Sequence, residues 1–354
     1  MKFNRKQLGG LLLFLISFSG FTSCKEYLDA KPDQHLQIPS TLQDLQSLLD
    51  NRVYVADYDV TNLNAFSDDY FCTYENWQTF PTSDQNVYIW SHQNVFPPYD
   101  QNDGNDWSFA YDHVYIANTI LENIEKISVD NSDISTYQNI KGQAYYLRAW
   151  SLLEAAWIWC QAFDSSTAAS NLGLPLRLTT DFNVKSVRST LQETYNQIIS
   201  DAKNAIALLP QTPISTVRAS KPAAYALLSR IYLSMRDYDH AGKCSDSCLQ
   251  LKNDLMNYNT LDSTKTYPFS KFNIEVIKDG AHGLSYCTYP AFANIDTALI
   301  KQYEPNDLRK VMFFSQAGAG YYSFRGDYNE GLTWVGIATD EMYITRAECY
   351  ARNG

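Results

Sequence analysis

The segment 220–252, SKPAAYALLSRIYLSMRDYDHAGKCSDSCLQLK, predicts two helices folded back on each other. Ser220 can accept a hydrogen bond from a first-turn amide, and Pro222 suits that turn because proline has no amide hydrogen to leave unpaired. Large side chains then recur at helical spacing, namely Tyr225, Leu228, Tyr232 and Met235. Because this first helix is apolar over more than one stripe, we expect it to be buried between neighbours.

The second half of the segment predicts a helix that packs back on the first. An aspartate within residues 236–239 can cap this helix, and its inner face is expected to carry Ala241, Cys244, Cys248 and Leu251. The small residue Ser229 lies among the large residues of the first helix, so the two helices can approach closely. This spacing is typical of a tetratricopeptide unit, although one copy alone fits an ordinary helical hairpin equally well.

The same spacing of aromatic, small and large residues recurs at Tyr145, Ala149 and Leu152, and again at Tyr343, Ala347 and Tyr350. Because one such unit cannot bury its own face, several copies indicate a stacked helical solenoid. The predicted fold is therefore mostly α, a tetratricopeptide-like solenoid of helical hairpins interrupted by long, irregular, aromatic-rich insertions. We expect helical pairs at about 140–209, 220–252 and 340–354. The last pair is incomplete, so we expect a C-terminally truncated form of a longer protein.

Two capping-box patterns mark further helix starts, at residues 40–43 and at residues 190–193. The first begins a short helix whose leucines face inward, and the second begins a helix that stops at Pro210. Two more helices are predicted at 111–127 and 140–162.

Residues 1–23 have the features of a bacterial lipoprotein signal peptide. A positively charged start is followed by an apolar run that is too short to span a bilayer, and small residues precede Cys24. We therefore expect Cys24 to be acylated and residues 24–39 to tether a domain at 40–354 to the membrane. A plain secretory signal with an incidental cysteine is the alternative.

The composition argues against a nucleic-acid partner. The chain has 28 basic and 39 acidic side chains, and removal of the signal peptide changes its net charge from −11 to −14. Six cysteines follow Cys24 at wide spacing, and we expect buried thiols rather than metal ligands, although Cys244, Cys248 and His240 share one predicted helix. No cofactor is expected.

Two stretches, 51–105 and 253–336, lose the helical period and are rich in aromatic and polar residues. Irregular segments held on a rigid scaffold commonly carry recognition. Flat rings can cover the apolar face of a sugar while amide and carboxylate groups meet its hydroxyls. The candidate ligand-binding residues are Asp69, Tyr74, Asn76, Trp77, Tyr289, Tyr321 and Arg325. For each ring, packing of the loop against the helices is the alternative role.

A series of short fragments occurs in a fixed order along the chain. They are Cys24 with Tyr27-Leu28-Asp29, Ser67-Asp68-Asp69-Tyr70, Asp106-Trp107, Lys141-Gly142-Gln143-Ala144, Leu147-Arg148-Ala149, Gly173-Leu174-Pro175-Leu176, Arg188-Ser189-Thr190 with Asp201, Ala223 to Leu233, Asn306-Asp307-Leu308-Arg309 and Arg346-Ala347-Glu348. Their order and spacing resemble the SusD/RagB family of outer-membrane lipoproteins of Bacteroidetes. The resemblance implies a surface-exposed lipoprotein that captures oligosaccharides, or peptides in some members. It also implies delivery of that ligand to a TonB-dependent, SusC-like transporter without chemistry.

A hydrolase is the rival class. Glycosidases need two carboxylates that face each other across the scissile bond, whereas neighbouring Asp68 and Asp69 point in opposite directions if the segment is extended. The sequence contains no His-Glu-x-x-His or Gly-x-Ser-x-Gly motif. We therefore expect no enzymatic activity. A repeat scaffold that binds a partner peptide is a third interpretation, and the residues do not identify the ligand.

Overall fold

The computed structural model describes residues 39–51, 67, 69–93, 105–281, 285–318, 320–331 and 333–353. The helices of these residues are α1 (Leu42–Leu49), α2 (Tyr74–Thr79), α3 (Thr82–Tyr88), α4 (Asp106–Ile124), α5 (Ile134–Trp159), α6 (Leu191–Leu208), α7 (Lys221–Ser234), α8 (Tyr238–Leu251), α9 (Thr297–Gln302), α10 (Leu308–Phe313) and α11 (Thr339–Asn353). The strands are β1 (Tyr70–Phe71), β2 (Leu172–Pro175), β3 (Arg188–Thr190), β4 (Val276–Lys278), β5 (Asn294–Ile295), β6 (Phe314–Gln316), β7 (Tyr322–Phe324) and β8 (Ile337–Ala338). They pair two by two and antiparallel, β1 with β5, β2 with β3, β4 with β8 and β6 with β7.

The long helices form a stacked array in which each packs against the next. The order of packing is α4, α5, α6, α7, α8 and α11. The largest apolar core runs through this array, and residues 146–156 of α5 are buried without exception. The predicted solenoid of helical hairpins is therefore confirmed, and we call this array the helical frame.

The hairpin of α7 and α8 shows why the sequence folds this way locally. Ser220 caps α7 by accepting a hydrogen bond from the amide of Ala223 at 3.3 Å, and Asp237 caps α8. At the helix crossing, the Ser229 hydroxyl bonds to the Ala241 carbonyl at 2.9 Å and to the Ser245 hydroxyl at 2.7 Å. Both serines are fully buried, so small side chains with mutual hydrogen bonds let the two backbones approach closely.

The predicted inner face of α8 is only partly right. Cys248 is fully buried, whereas Cys244 and Leu251 are only partly covered. Ser245 and Leu249 are buried in their place. The hydrogen bond to Ser245 at the crossing fixes the rotation of α8, and apolar spacing alone did not reveal that bond.

Two capping boxes are present, one of them displaced from its predicted position. At α6, Thr190 and Glu193 satisfy each other's backbone amides at 3.1 and 2.7 Å, as predicted. At α1 the box begins at Thr41 rather than at residue 40, because the Asp44 carboxylate accepts from the Thr41 amide at 3.0 Å. A carboxylate is a stronger acceptor than the glutamine amide on which the prediction rested.

A buried ion pair joins three helices of the frame. The Arg148 guanidinium on α5 donates to both carboxylate oxygens of Asp201 on α6, at 2.8 and 2.7 Å. It also donates to the Asn118 side-chain oxygen on α4 at 2.8 Å. Asp201 is 1% exposed and Arg148 is 7% exposed, so water does not screen the pair.

The two predicted insertions contain short regular elements and are not wholly irregular. Helices α2 and α3 lie in the stretch 51–105, and α9 and α10 lie in the stretch 253–336. The second insertion is fixed to the frame by pairing of β4 with β8, beside which the Thr339 amide donates to the Glu275 carbonyl at 2.9 Å. Across the described ranges, no helix combines the length and the apolar character that crossing a membrane requires.

Candidate functional site

The two insertions meet and form one unit. Tyr70 in β1 lies opposite Ile295 in β5, and the Asp296 amide donates to the Asp69 carbonyl at 3.2 Å. A second junction is made by the carboxylate of Asp84, which accepts hydrogen bonds from residues 285 and 286 at 3.0 and 3.1 Å. Segments more than 200 positions apart in the chain therefore share one surface.

A small apolar core lies beneath this joint surface. It contains Cys72, Phe80 and Val87 from the first insertion and Cys287 from the second. Burial raises the pKa of the Cys287 thiol to about 12, so this side chain packs as an uncharged group. This core supports the aromatic rings that lie around it.

Three of the predicted ligand-binding residues lie around this core. Tyr74 is 66% exposed and stacks on Trp77, with 5.7 Å between ring centroids and 20° between planes. The Trp77 indole donates to the Gln85 carbonyl at 3.1 Å, which holds it in place under Tyr74. Tyr289, from the second insertion, contacts Phe292 at 5.8 Å between centroids. We call Tyr74, Trp77 and Tyr289 the exposed-ring cluster.

A cleft of about 420 Å³ opens beside β1, β5 and the hairpin of β6 and β7. Phe314 and Phe324 lie opposite each other in that hairpin, so their rings face the same side of it. The aromatic residues that line the cleft are Tyr70, Tyr303, Phe313, Phe314, Phe324 and Trp334. We call this space the aromatic cleft.

Two carboxylates also line the aromatic cleft. Asp69 is exposed, and one of its oxygens accepts from the Ser67 hydroxyl at 2.8 Å. Asp327 is half-buried, and one of its oxygens accepts from the amides of Asn329 and Gly331 at 2.8 and 3.3 Å. Burial raises the pKa of the Asp327 carboxyl, and those two amide bonds oppose that rise. Flat rings with carboxylate acceptors at their edge suit a ligand that has apolar faces and many hydroxyls.

The remaining predicted residues lie in three different settings. Asn76 is partly exposed on α2, one position from Trp77, and Tyr321 meets Phe71 edge to face at 5.7 Å. The Arg325 guanidinium donates to the backbone carbonyls of Ser263, Lys265 and Val311, which gives it a structural role in joining three segments. Cys24 lies outside the described residues, as do the signal peptide and nearly all of the tether.

The sequence-based selection missed most of the aromatic cleft. Asp69 alone among the selected residues lines it, whereas Tyr303, Phe324, Asp327 and Trp334 were not selected. A signal for two of the rings does exist: the segments FSQ at 314–316 and YSF at 322–324 alternate and flank glycines, a pattern that predicts a hairpin. The others come from separate segments, and no local pattern connects them.

Metal binding was the alternative role for the cysteines. In the part of the chain that the structure describes, no group of three or more histidine, cysteine or acidic side chains is arranged to hold a metal ion. Burial raises the pKa of the Cys244 thiol to about 11 and that of Cys248 to about 12. Thiols of this kind act as packing groups.

Comparison with known proteins agrees with the fold. The SusD-like family, described as starch-binding and associating with the outer membrane, matches residues 26–233. A SusD superfamily protein from Bacteroides vulgatus superposes with a TM-score of 0.71 at 18% identity, over 89% of this chain and 77% of the other. A SusD superfamily protein from Bacteroides thetaiotaomicron gives 0.68 at 20% identity, over 89% and 77%. A laminarin-binding SusD-like protein gives 0.62 at 18% identity, over 86% and 78%. No curated protein matches the chain.

Proposed function

Since the chain belongs to the SusD-like family, which binds starch and associates with the outer membrane, we propose that it is a lipid-anchored, surface-exposed receptor for oligosaccharides. In this proposal the protein captures a glycan outside the cell and delivers it to a TonB-dependent, SusC-like transporter. It binds and releases the glycan without breaking a bond. Acylated Cys24 holds the domain at the outer membrane.

The aromatic cleft is the observation that supports glycan binding most directly. Its rings offer flat apolar surfaces, and the carboxylates of Asp69 and Asp327 offer acceptors for sugar hydroxyls. A volume of about 420 Å³ lies within the range of small-molecule sites. We assign the cleft as the main sugar-binding site, with Phe324 and Tyr303 as the rings that contact the sugar.

The exposed-ring cluster is the second part of the proposed site. Tyr74 presents most of its ring to solvent, and Trp77 and the core beneath hold that ring in one orientation. A preorganised ring loses little conformational entropy when a sugar stacks on it. We propose that Tyr74, Trp77 and Tyr289 contact more distant units of a long glycan, with Asn76 and Tyr321 nearby. Arg325 holds the segments at 263–265 and 311 together through the carbonyls to which it donates.

Affinity electrophoresis against a panel of glycans tests the proposal. The perturbed variants are Phe324→Ala in the cleft and Tyr74→Ala in the exposed-ring cluster. The matched control is Phe182→Ala, which removes a ring that is 79% exposed beside the helical frame. Loss of base–aromatic stacking typically costs about 1–3 kcal/mol in nucleic acids, and we expect a loss of similar order for each sugar-stacking ring.

The outcomes separate the two surfaces from each other and from the rival functions. Unchanged retardation of both perturbed variants would remove the site assignment. Retardation by no glycan, together with binding of peptides, would favour a peptide-binding member of the family. Capture of the transporter without any ligand binding would favour a repeat scaffold. Release of reducing ends from an incubated glycan would favour a hydrolase.

A further inference from the structure

The charges in the lining of the aromatic cleft are of one sign. Among the described residues that line it, Asp69 and Asp327 are the charged ones, and none is lysine, arginine or histidine. Asp69 is exposed and Asp327 is half-buried. A ligand in the cleft therefore meets negative charge that no cation of this lining compensates.

Two arginines adjoin residues of the lining, and both make their contacts outside the cleft. The Arg309 guanidinium lies over the Tyr303 ring, 5.4 Å from its centroid, and donates to both oxygens of Asp307 at 3.0 and 2.6 Å. The positive charge of Arg309 is therefore balanced by its own carboxylate partner. Arg325 follows Phe324, and its terminal amino groups donate to three backbone carbonyls outside the lining.

The surroundings of Asp327 show the same excess of negative charge. Burial raises the pKa of its carboxyl, and hydrogen bonds from the amides of Asn329 and Gly331 oppose that rise. The charged neighbour that acts on it is the Glu330 carboxylate, which raises the pKa further. Amide bonds favour the charged form of a carboxyl, so backbone amides hold this carboxylate in place of a cation.

The aromatic walls strengthen the effect of these charges on a ligand. Rings such as Tyr70, Phe314 and Trp334 keep water away from the sides of the cleft, and charges beside such walls interact more strongly than in bulk water. Like charges that meet in a binding site weaken binding, and such repulsion is a common source of specificity. Sugar hydroxyls, in contrast, donate hydrogen bonds to carboxylates.

We propose that Asp69 and Asp327 make the aromatic cleft reject glycans that carry uronate or sulfate groups, so that the ligands of this receptor are glycans without acidic groups. This inference rests on the proposed function and narrows the class of glycan that the receptor takes. Both residues determine specificity by repulsion, whereas a ligand that offers only hydroxyls gains two carboxylate acceptors.

Calorimetric titration with matched glycans tests this charge selection. The protein is the full chain with Cys24→Ala, which removes the acyl anchor. The probes are laminarin and pullulan, each in its neutral form and with its primary hydroxyls oxidised to carboxylates. At neutral pH and low salt, we expect the oxidised form to bind at least about tenfold more weakly than the neutral form. At about 1 M salt, where the screening length falls to about 3 Å, this ratio should shrink severalfold.

Substitution of the carboxylates separates the effect of charge from that of shape. Asp69→Asn and Asp327→Asn keep the size of each side chain, and together they should bring the two affinities to within about threefold of each other. Asp69→Lys should shift the preference towards the oxidised form. The matched control is Asp130→Asn, which removes the same charge from an exposed residue outside the lining of the cleft and should keep the ratio of the parent. Thermal unfolding should show that all variants remain folded.

The results distinguish failure of this inference from failure of the proposed function. Oxidised glycan bound as tightly as the neutral form would overturn the inference, as would retardation by polygalacturonate and by no neutral glycan. A preference that persists unchanged in the double variant would also overturn it, because loss of the primary hydroxyl would then explain the preference. Each of these results leaves a glycan receptor. Binding of no glycan, neutral or acidic, would contradict the receptor function and the inference with it.

Discussion

Removal of one partner from the buried pair of Arg148 and Asp201 should destabilise the helical frame strongly. In Asp201→Asn, the guanidinium loses the anion to which it donates two hydrogen bonds. Each charge-assisted hydrogen bond contributes about 1.5–3 kcal/mol, and breaking a buried ion pair typically costs about 3–5 kcal/mol. These two magnitudes agree, so we expect the free energy of unfolding to fall by about 3–5 kcal/mol.

The assay is urea unfolding of the Cys24→Ala chain, followed by far-ultraviolet circular dichroism. Asp201→Asn, Arg148→Met and the double variant form a cycle, in which the double variant should lose less stability than the two single losses combined. Arg218→Met is the control, because the pair of Arg218 and Asp50 is partly exposed and should be worth at most about 1 kcal/mol. Single variants that both stay within about 1 kcal/mol of the parent would contradict the prediction, as would a cycle that shows no coupling.

Three further predictions concern other parts of the chain. Gly173→Ala should lower the free energy of unfolding by about 1–3 kcal/mol or more, because a Cβ there would lie 2.4 Å from the Thr190 carbonyl oxygen. A melting temperature equal to that of the parent would contradict this prediction. Glycan affinity should fall as the pH drops through the raised pKa of Asp327, because the carboxylate is a stronger hydrogen-bond acceptor for sugar hydroxyls than the protonated acid. Asp327→Asn should bind more weakly at neutral pH and lose this dependence in titrations by calorimetry. Cys248 should resist alkylation at pH 8 in the folded protein, since burial raises its thiol pKa to about 12, and it should react in urea. Mass spectrometry after short labelling measures the reaction, and rapid labelling without urea would refute the prediction.

In the proposed receptor, the frame provides stability and the insertions provide the binding surface. The frame is held by local caps and by buried contacts such as the pair of Arg148 and Asp201. The insertions contribute the exposed-ring cluster and the aromatic cleft, and they meet through β1 and β5. Substitutions in the frame should therefore change stability first, whereas Tyr74→Ala and Phe324→Ala should change binding first.

The residues alone determined the helical frame and most of its helix starts. Ser220, Asp237 and Thr190 cap helices as predicted, because a cap is a contact between residues three positions apart. Helical periodicity is equally local, so it revealed the stacked hairpins. The errors at this level concern helix starts: α4 begins at Asp106 rather than at 111, α5 begins at Ile134 rather than at 140, and the first capping box lies at Thr41.

Only the tertiary structure decided how the insertions meet and which residues surround the cleft. Phe324, Trp334 and Asp69 come from distant segments, and their meeting depends on the pairing of two-residue strands that carry almost no local signal. Arg325 has the chemistry of a ligand contact, yet the structure assigns its guanidinium to three backbone carbonyls. Local contacts can be read from spacing along the chain, whereas a binding surface is set by which distant segments are brought together.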